Sequence, residues 1–324
     1  MYFTKLSFNY LAVIGVVVFS LGANASNDDA NSNHVAPVKV KKHGMYFEAV
    51  GPKGEVRRFV PTNHVAKLYD VFEYSEVQEI EDDAKKKICL ESSFSFEENQ
   101  RQIDEVLSED FLMANNAFLG DDEPFWQIND DEINQKFDRV FNTLSEWYPH
   151  LKEYKRLKPA FAYAIFCKSE LNSVASSQTD PGMDIHLYVN IGYENKSNPV
   201  KSLEDMKDLL FAANLHEKTL EDVISDLNPL QEECSTDYIY DLDELESLEL
   251  KFPGEIFGHD WVVRRNVNWL PKIISPDMDG YLIVVGMGHF VGKGGLINMM
   301  RKLGWTWYQL LPRRELITYE PKLG

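Results

Sequence analysis

The stretch Tyr281-Leu-Ile-Val-Val285 constrains this chain more than any other. A short, unbroken, β-branched apolar run marks a strand buried on both faces, as strands of parallel sheets are. A glycine-rich turn follows, Gly286-Met287-Gly288-His289. Beyond it Leu296, Met299, Met300 and Leu303 repeat at i, i+3, i+4, i+7, the spacing of one helix face. Gly304 stands where a helix C-cap belongs, and Trp305-Thr-Trp-Tyr-Gln-Leu310 reads as a closing strand. A buried strand leading through a tight turn into a helix is a piece of an α/β sheet.

The rest of the chain extends that pattern. Met45–Val50 and Val56–Val60 flank Gly51-Pro-Lys-Gly54 and predict a β-hairpin. Lys86–Glu91 reads as a buried strand with its acid at the C-terminal end, and Asn198–Leu203 as a short strand ending near Glu204. Helical patterns cover about 97–113, 131–147, 157–170, 204–213, 216–226, 242–250 and 256–274. The fold class expected is α/β, a largely parallel or mixed central sheet flanked by helices, with an N-terminal β-hairpin. Active sites of such sheets collect at the C-terminal strand ends. Four residues fall there: His64, Glu91, Glu204 and His289. The two halves thus share one logic, each offering a strand-end histidine and a strand-end glutamate.

The first residues read differently. Lys5 is the only side-chain charge before Asp28; an apolar run from Leu11 to Gly22 follows, then Ala23-Asn24-Ala25. This is the pattern of a secretory signal peptide, 1–25, cleaved near Ala25. The run is too short to span a membrane, and no cysteine stands at the cut to take a lipid. Residues 26–38 are a polar, flexible lead-in, 39–313 a single α/β domain and 314–324 a tail. A soluble periplasmic or secreted protein without a stable membrane anchor is expected. The charge balance, 33 basic against 52 acidic residues or −19, disfavours nucleic acid and anionic lipid as partners. Cys89, Cys167 and Cys234 lie far apart, with no CxxC, so no disulfide scaffold holds the fold.

Three places could carry chemistry. Gly286-Met-Gly-His289 puts a histidine at the rim of the sheet; its G-x-G-x-x-x-G spacing is neither a dinucleotide fingerprint nor a P-loop. A tight turn with an incidental histidine and a functional loop both satisfy the pattern. His64 follows the hairpin strand; beside His289 and one or two carboxylates it would complete a divalent-metal site with open positions for water. Arg265 lies with Trp261, Trp269 and Ile273 on one helix face, every fourth residue. A charge within an apolar stripe needs an anionic partner, either a carboxylate of the fold or a group of the substrate. His216-Glu217 lacks the second histidine of a zinc helix, and Ser173, Ser176 and Ser177 lack a nucleophile elbow.

Taken in order, these segments resemble the TraB/GumN family, related to the TIKI-type metalloproteases and the ChaN/erythromycin-esterase group. The resemblance runs from about Tyr46 to Leu311. It rests on the hairpin ending in His64, the strand Ile88-Cys-Leu-Glu91, Lys158-Pro159 before a helix, Gly182-Met183-Asp184, Asn198-Pro-Val-Lys-Ser-Leu-Glu204, Arg265-Asn266-Val-Asn-Trp269 and the closing strand–loop–helix from Val285 to Leu296. The resemblance implies a metal-dependent hydrolase acting on a peptide or small-molecule substrate. His64, His289 and Glu91 would hold a divalent ion (Mn or Co by analogy, with Zn possible), and Glu91, Glu204, Arg265 and Asn266 would serve catalysis. It also implies an alternative, a non-catalytic protein binding a peptide, haem or iron. One departure stands out: the first motif reads Pro61-Thr62-Asn63-His64, with proline in place of the family's glycine. Proline cannot adopt φ > 0 and has no N–H to donate.

Overall fold

The computed structural model describes residues 45–62, 72, 74–92, 96–167, 183, 186–188, 200–227, 256, 258–310 and 316–318. Their strands are β1 (Phe47–Val50), β2 (Val56–Thr62), β3 (Ile88–Leu90), β4 (Val200–Ser202), β5 (Leu282–Gly286), β6 (Thr306–Leu310) and β7 (Leu316–Thr318). All seven belong to one mixed sheet in the order β4-β3-β5-β2-β1-β6-β7. β4, β3, β5 and β2 run parallel, while β1, β6 and β7 add antiparallel neighbours. The hairpin is β1–β2, and the expected α/β class with a mixed sheet is what forms. β5 lies between β3 and β2 and is buried along its whole length, which explains its unbroken apolar run. β7 extends the sheet beyond Leu310, where the sequence pattern ended the last strand.

The helices follow local chemistry. Among the described residues they are α1 (Tyr74–Ala84), α2 (Phe96–Val106), α3 (Glu109–Ala114), α4 (Asp131–Ser145), α5 (159–167), α6 (Met206–Ala213), α7 (Leu220–Leu227), α8 (His259–Ile274) and α9 (Leu296–Lys302). The helix expected over 97–113 divides into α2 and α3. The Ser108 hydroxyl accepts from Phe111 N–H and donates to Glu105 O, capping one helix where the other ends. The helix expected from 204 starts two residues later, because Asp205 and Asp208 form a capping box. Glu204 is thereby left on the strand side of the turn. The segment expected over 216–226 becomes a short 3-10 turn, Leu215–Glu217, and then α7. The pattern over 242–250 lies outside the described residues.

Three apolar clusters hold the sheet and its helices. On one face, Phe47, Phe59, Ile283 and Val285 meet Trp269 and Ile273 of α8 and Leu296, Ile297 and Met300 of α9. On the other, Val60, Leu90, Leu282 and Val284 meet Val77, Ile80 and Ala84 of α1, with Met183 and Leu187. The third cluster is helical, drawn from α2 to α7, and it takes in Trp261 and Val262 from the first turn of α8. α8 therefore spans the seam, its start in the helical cluster and its end against the sheet. No helix among the described residues is long and apolar enough to cross a membrane.

Candidate functional site

The C-terminal ends of β3, β4 and β5 place their polar residues together. β3 and β4 pair in register, Leu90 with Ser202, and the pairing continues past the strands: Glu204 N–H donates to Glu91 O at 2.9 Å. The two glutamates thus lie side by side just past two adjacent strands. One residue along, Gly286 at the end of β5 donates its N–H to Glu91 Oε1. This follows from parallel register: β3 and β4 end level with one another and β5 runs two residues further, so its last N–H reaches the glutamate that follows β3.

α8 lays Arg265 over this edge. Its side chain is 1 % exposed, and the carboxylates of Glu91 and Glu204 are 7 % and 2 % exposed. Nη2 donates to Glu91 Oε2 at 2.7 Å and to Glu204 Oε1, and Nε donates to both Glu204 oxygens at 3.1 Å. Trp261 and Trp269, one turn to either side, place their rings 4.4 and 4.7 Å from the guanidinium carbon. This cation–π sandwich follows directly from i−4 and i+4 spacing. The expected anionic partner of Arg265 is thus a pair of carboxylates of the fold. Its third nitrogen, Nη1, is buried with no hydrogen-bond partner. Such a donor costs stability unless something arrives to accept from it.

Glu204 is held on both oxygens, by Arg265 and by Trp269 Nε1–H at 2.9 Å from Oε2. Burial pushes its carboxyl up to about 7, although Arg265 and Trp269 both pull the other way. Burial alone would lower the Arg265 guanidinium, but Glu204 and Glu91 outweigh it and hold Arg265 protonated more firmly than usual. The cluster therefore sets two carboxyl groups against one fixed positive charge.

His289 is the third residue of the turn Met287–Phe290 and is buried. Phe290 fixes that turn below it, its ring 5.9 Å from that of Phe59 and edge-on. His289 Nδ1 lies 2.7 Å from Asn266 Oδ1, its ring lies 4.2 Å from Trp269, and Nε2 is 3.8 Å from Glu91 Oε1. Asn266 Nδ2 donates to His289 O at 3.0 Å and Gly294 O at 2.9 Å. Asn266, beside Arg265 on α8, thus ties the glycine-rich loop to the helix.

Five of the six residues singled out in the sequence, Glu91, Glu204, Arg265, Asn266 and His289, accordingly form one buried constellation. The sixth, His64, lies outside the described residues, as do Gly182 and Asp184. Thr62, two residues before His64 and paired in register with Gly286, buries a hydroxyl that has no partner. Pro61 is accommodated as extended strand: β1 pairs with β2 only as far as Phe59, so past that point one side of β2 needs no ladder hydrogen bond from it. Trp269 and the Gly286 N–H are members of the site that sequence reasoning missed. The tryptophan was legible as a core residue by its spacing, and a backbone donor has no sequence signal at all.

Among the described residues no three His, Cys, Asp or Glu side chains are grouped to hold a metal ion. His289 Nε2 and Glu91 Oε1 are nevertheless two donors of the type a divalent cation takes, facing one another beyond hydrogen-bond distance. Cys89, behind Glu91 on β3, is buried, and burial pushes its thiol up to about 12, so it stays protonated and unreactive.

Neither the curated proteins nor the solved structures yield a match to this chain. The family model for TraB/PrgY/gumN matches residues 62–309, a span that starts at the end of β2, closes within β6 and takes in every residue of the constellation. The chain belongs to the TraB/PrgY/gumN family.

Proposed function

We propose that this constellation is the centre of a metal-dependent hydrolase acting on a peptide or amide bond outside the cytoplasm. The observation that carries the reading is the pair His289 Nε2 and Glu91 Oε1, 3.8 Å apart and backed by a buried Arg265 whose Nη1 amino group has no partner. A buried imidazole nitrogen and a carboxylate oxygen at this separation are a donor pair that a divalent cation can bridge. His289 and Glu91 would hold a divalent ion together with His64, with Mn or Co the expected metals by family analogy and Zn also compatible with the donors. Such an ion, when bound, acts as a Lewis acid and lowers the pKa of a coordinated water.

The chain's own groups then divide the work. Arg265 Nη1 is the donor available to a substrate carboxylate or to the oxyanion of a tetrahedral intermediate. Glu204, with both oxygens engaged, keeps Arg265 in place rather than meeting the substrate. Asn266 and Trp269 hold the His289 ring. The N-terminal signal-peptide pattern supports export of the mature chain, cleaved near Ala25. The test is a peptidase assay of the mature protein with added Mn²⁺ or Co²⁺, beside His289→Ala and His64→Ala. Each substitution is expected to lower kcat/KM by about 100-fold or more with the fold retained. Unchanged activity in both variants overturns the reading, and peptide binding without turnover replaces it with a binding protein.

A further inference from the structure

We propose that Asn266 is a positioning residue that keeps the proton of His289 on Nδ1 and so makes Nε2 the working nitrogen of the site. The inference deepens the proposed function, and rests on that reading for what Nε2 does, but not for where the proton lies.

The amide of Asn266 has one orientation compatible with its neighbours. Its nitrogen faces two backbone carbonyls, His289 O at 3.0 Å and Gly294 O at 2.9 Å. Carbonyl oxygens only accept, so the atom facing them must be the donating Nδ2. The opposite orientation would set an oxygen against both carbonyls and lose two hydrogen bonds. Oδ1 is thereby fixed as the atom facing His289 Nδ1 at 2.7 Å, and an amide oxygen only accepts. Nδ1 must donate. A neutral imidazole carries one proton, so Nε2 is left with the lone pair, on the side where Glu91 Oε1 lies 3.8 Å away.

The two carbonyls that decide this come from a loop with little room to shift. A Cβ on Gly295 would meet Phe290 O at 2.2 Å and Val291 O at 2.6 Å, so the loop closes on itself at the distance only a glycine permits. A Cβ on Gly294 would meet the Val263 side chain at 2.4 Å, so the same loop lies directly on α8. Trp269, its ring tilted by 32° against that of His289, limits rotation of the imidazole. Loop closure, amide orientation and tautomer are thus one chain of cause, ending on the atom that faces Glu91.

Two-bond proton–nitrogen correlation spectra of the mature protein test this, with ¹⁵N-labelled histidine, metal removed by chelator and the pH held above the imidazole titration. The His289 signals are those missing from His289→Gln. The wild-type spectrum is expected to show the proton on Nδ1. In Asn266→Ala the proton is expected to move to Nε2 in most molecules, and in Asn266→Asp, which keeps an acceptor, to stay on Nδ1. A wild-type His289 with its proton on Nε2 overturns the proposal, as does a folded Asn266→Ala protein that keeps it on Nδ1. If Asn266→Ala does not fold, the wild-type spectrum alone decides. The readout needs no turnover: Nδ1 protonation in a protein without peptidase activity would sink the hydrolase reading and leave this assignment standing.

Discussion

Glu204 is the residue at which charge and burial conflict most directly. Three forces act on its carboxyl: loss of water raises it, Arg265 and Trp269 lower it, and the neighbouring Glu91 raises it again. The first prevails, and the group ends at about 7 instead of the ordinary 4.5. An acid raised in this way keeps its proton in the folded chain at pH values where the unfolded chain has lost it. Its contribution to stability is whole below the ordinary glutamate value and is lost as the pH rises to about 7. Glu204→Gln cannot titrate there. Measured by urea unfolding at several pH values across that window, the stability of wild type relative to Glu204→Gln is expected to fall as pH rises. A constant difference would show that Glu204 ionises as it does in the unfolded chain.

At the level of elements, the position of α8 decides whether Arg265 and Asn266 reach the strand ends, and Arg57 anchors its far end. This arginine on β2 is fully buried and donates Nε to Ile273 O at 2.8 Å and Nη2 to Ser275 O at 2.7 Å. Both acceptors are at the C-terminus of α8, where carbonyls lack helical partners and a cation is favoured. Its remaining bonds go to Val56 O and to Asp279. Arg57→Ala would leave these carbonyls buried and unpaired. We expect a loss of about 3–5 kcal/mol in chemical denaturation, the scale found when one partner of a buried charged network is removed. Much of that cost comes from the backbone acceptors, so Asp279→Ala, which removes only the exposed partner, is expected to cost about 1 kcal/mol or less.

For the whole molecule, the dominant long-range feature is the excess of acid. A formal charge of −19 makes the compact state repel itself, while many of its ion pairs are exposed and individually weak. Added salt screens both, and the net repulsion is the larger sum. The thermal midpoint is therefore expected to rise as NaCl increases from about 10 mM to about 150 mM, where the screening length falls from about 30 to about 8 Å. A midpoint that falls with salt would mean that ion pairs, rather than net repulsion, govern stability. The buried Arg265 cluster is shielded from the salt and does not contribute to this trend.

Sequence alone determined what depends on neighbours along the chain. The apolar run of β5, the hairpin glycines and the four-residue repeat of Trp261, Arg265, Trp269 and Ile273 each state a local conformation and a buried face. From these the α/β class, the strand-end position of Glu91 and Glu204 and the need of Arg265 for an anion could all be read. Element limits were less legible, because apolar periodicity does not register caps: Ser108 and Asp205 moved two of them. Tertiary structure decided what depends on residues far apart. Parallel register brought Glu91 beside Glu204, and the crossing of α8 chose both as the partners of Arg265 instead of a substrate group. Loop closure on α8 turned Asn266 toward His289. Contacts between residues 61 or 174 positions apart leave no trace in local pattern, because pairing energy depends on distance in space and not along the chain.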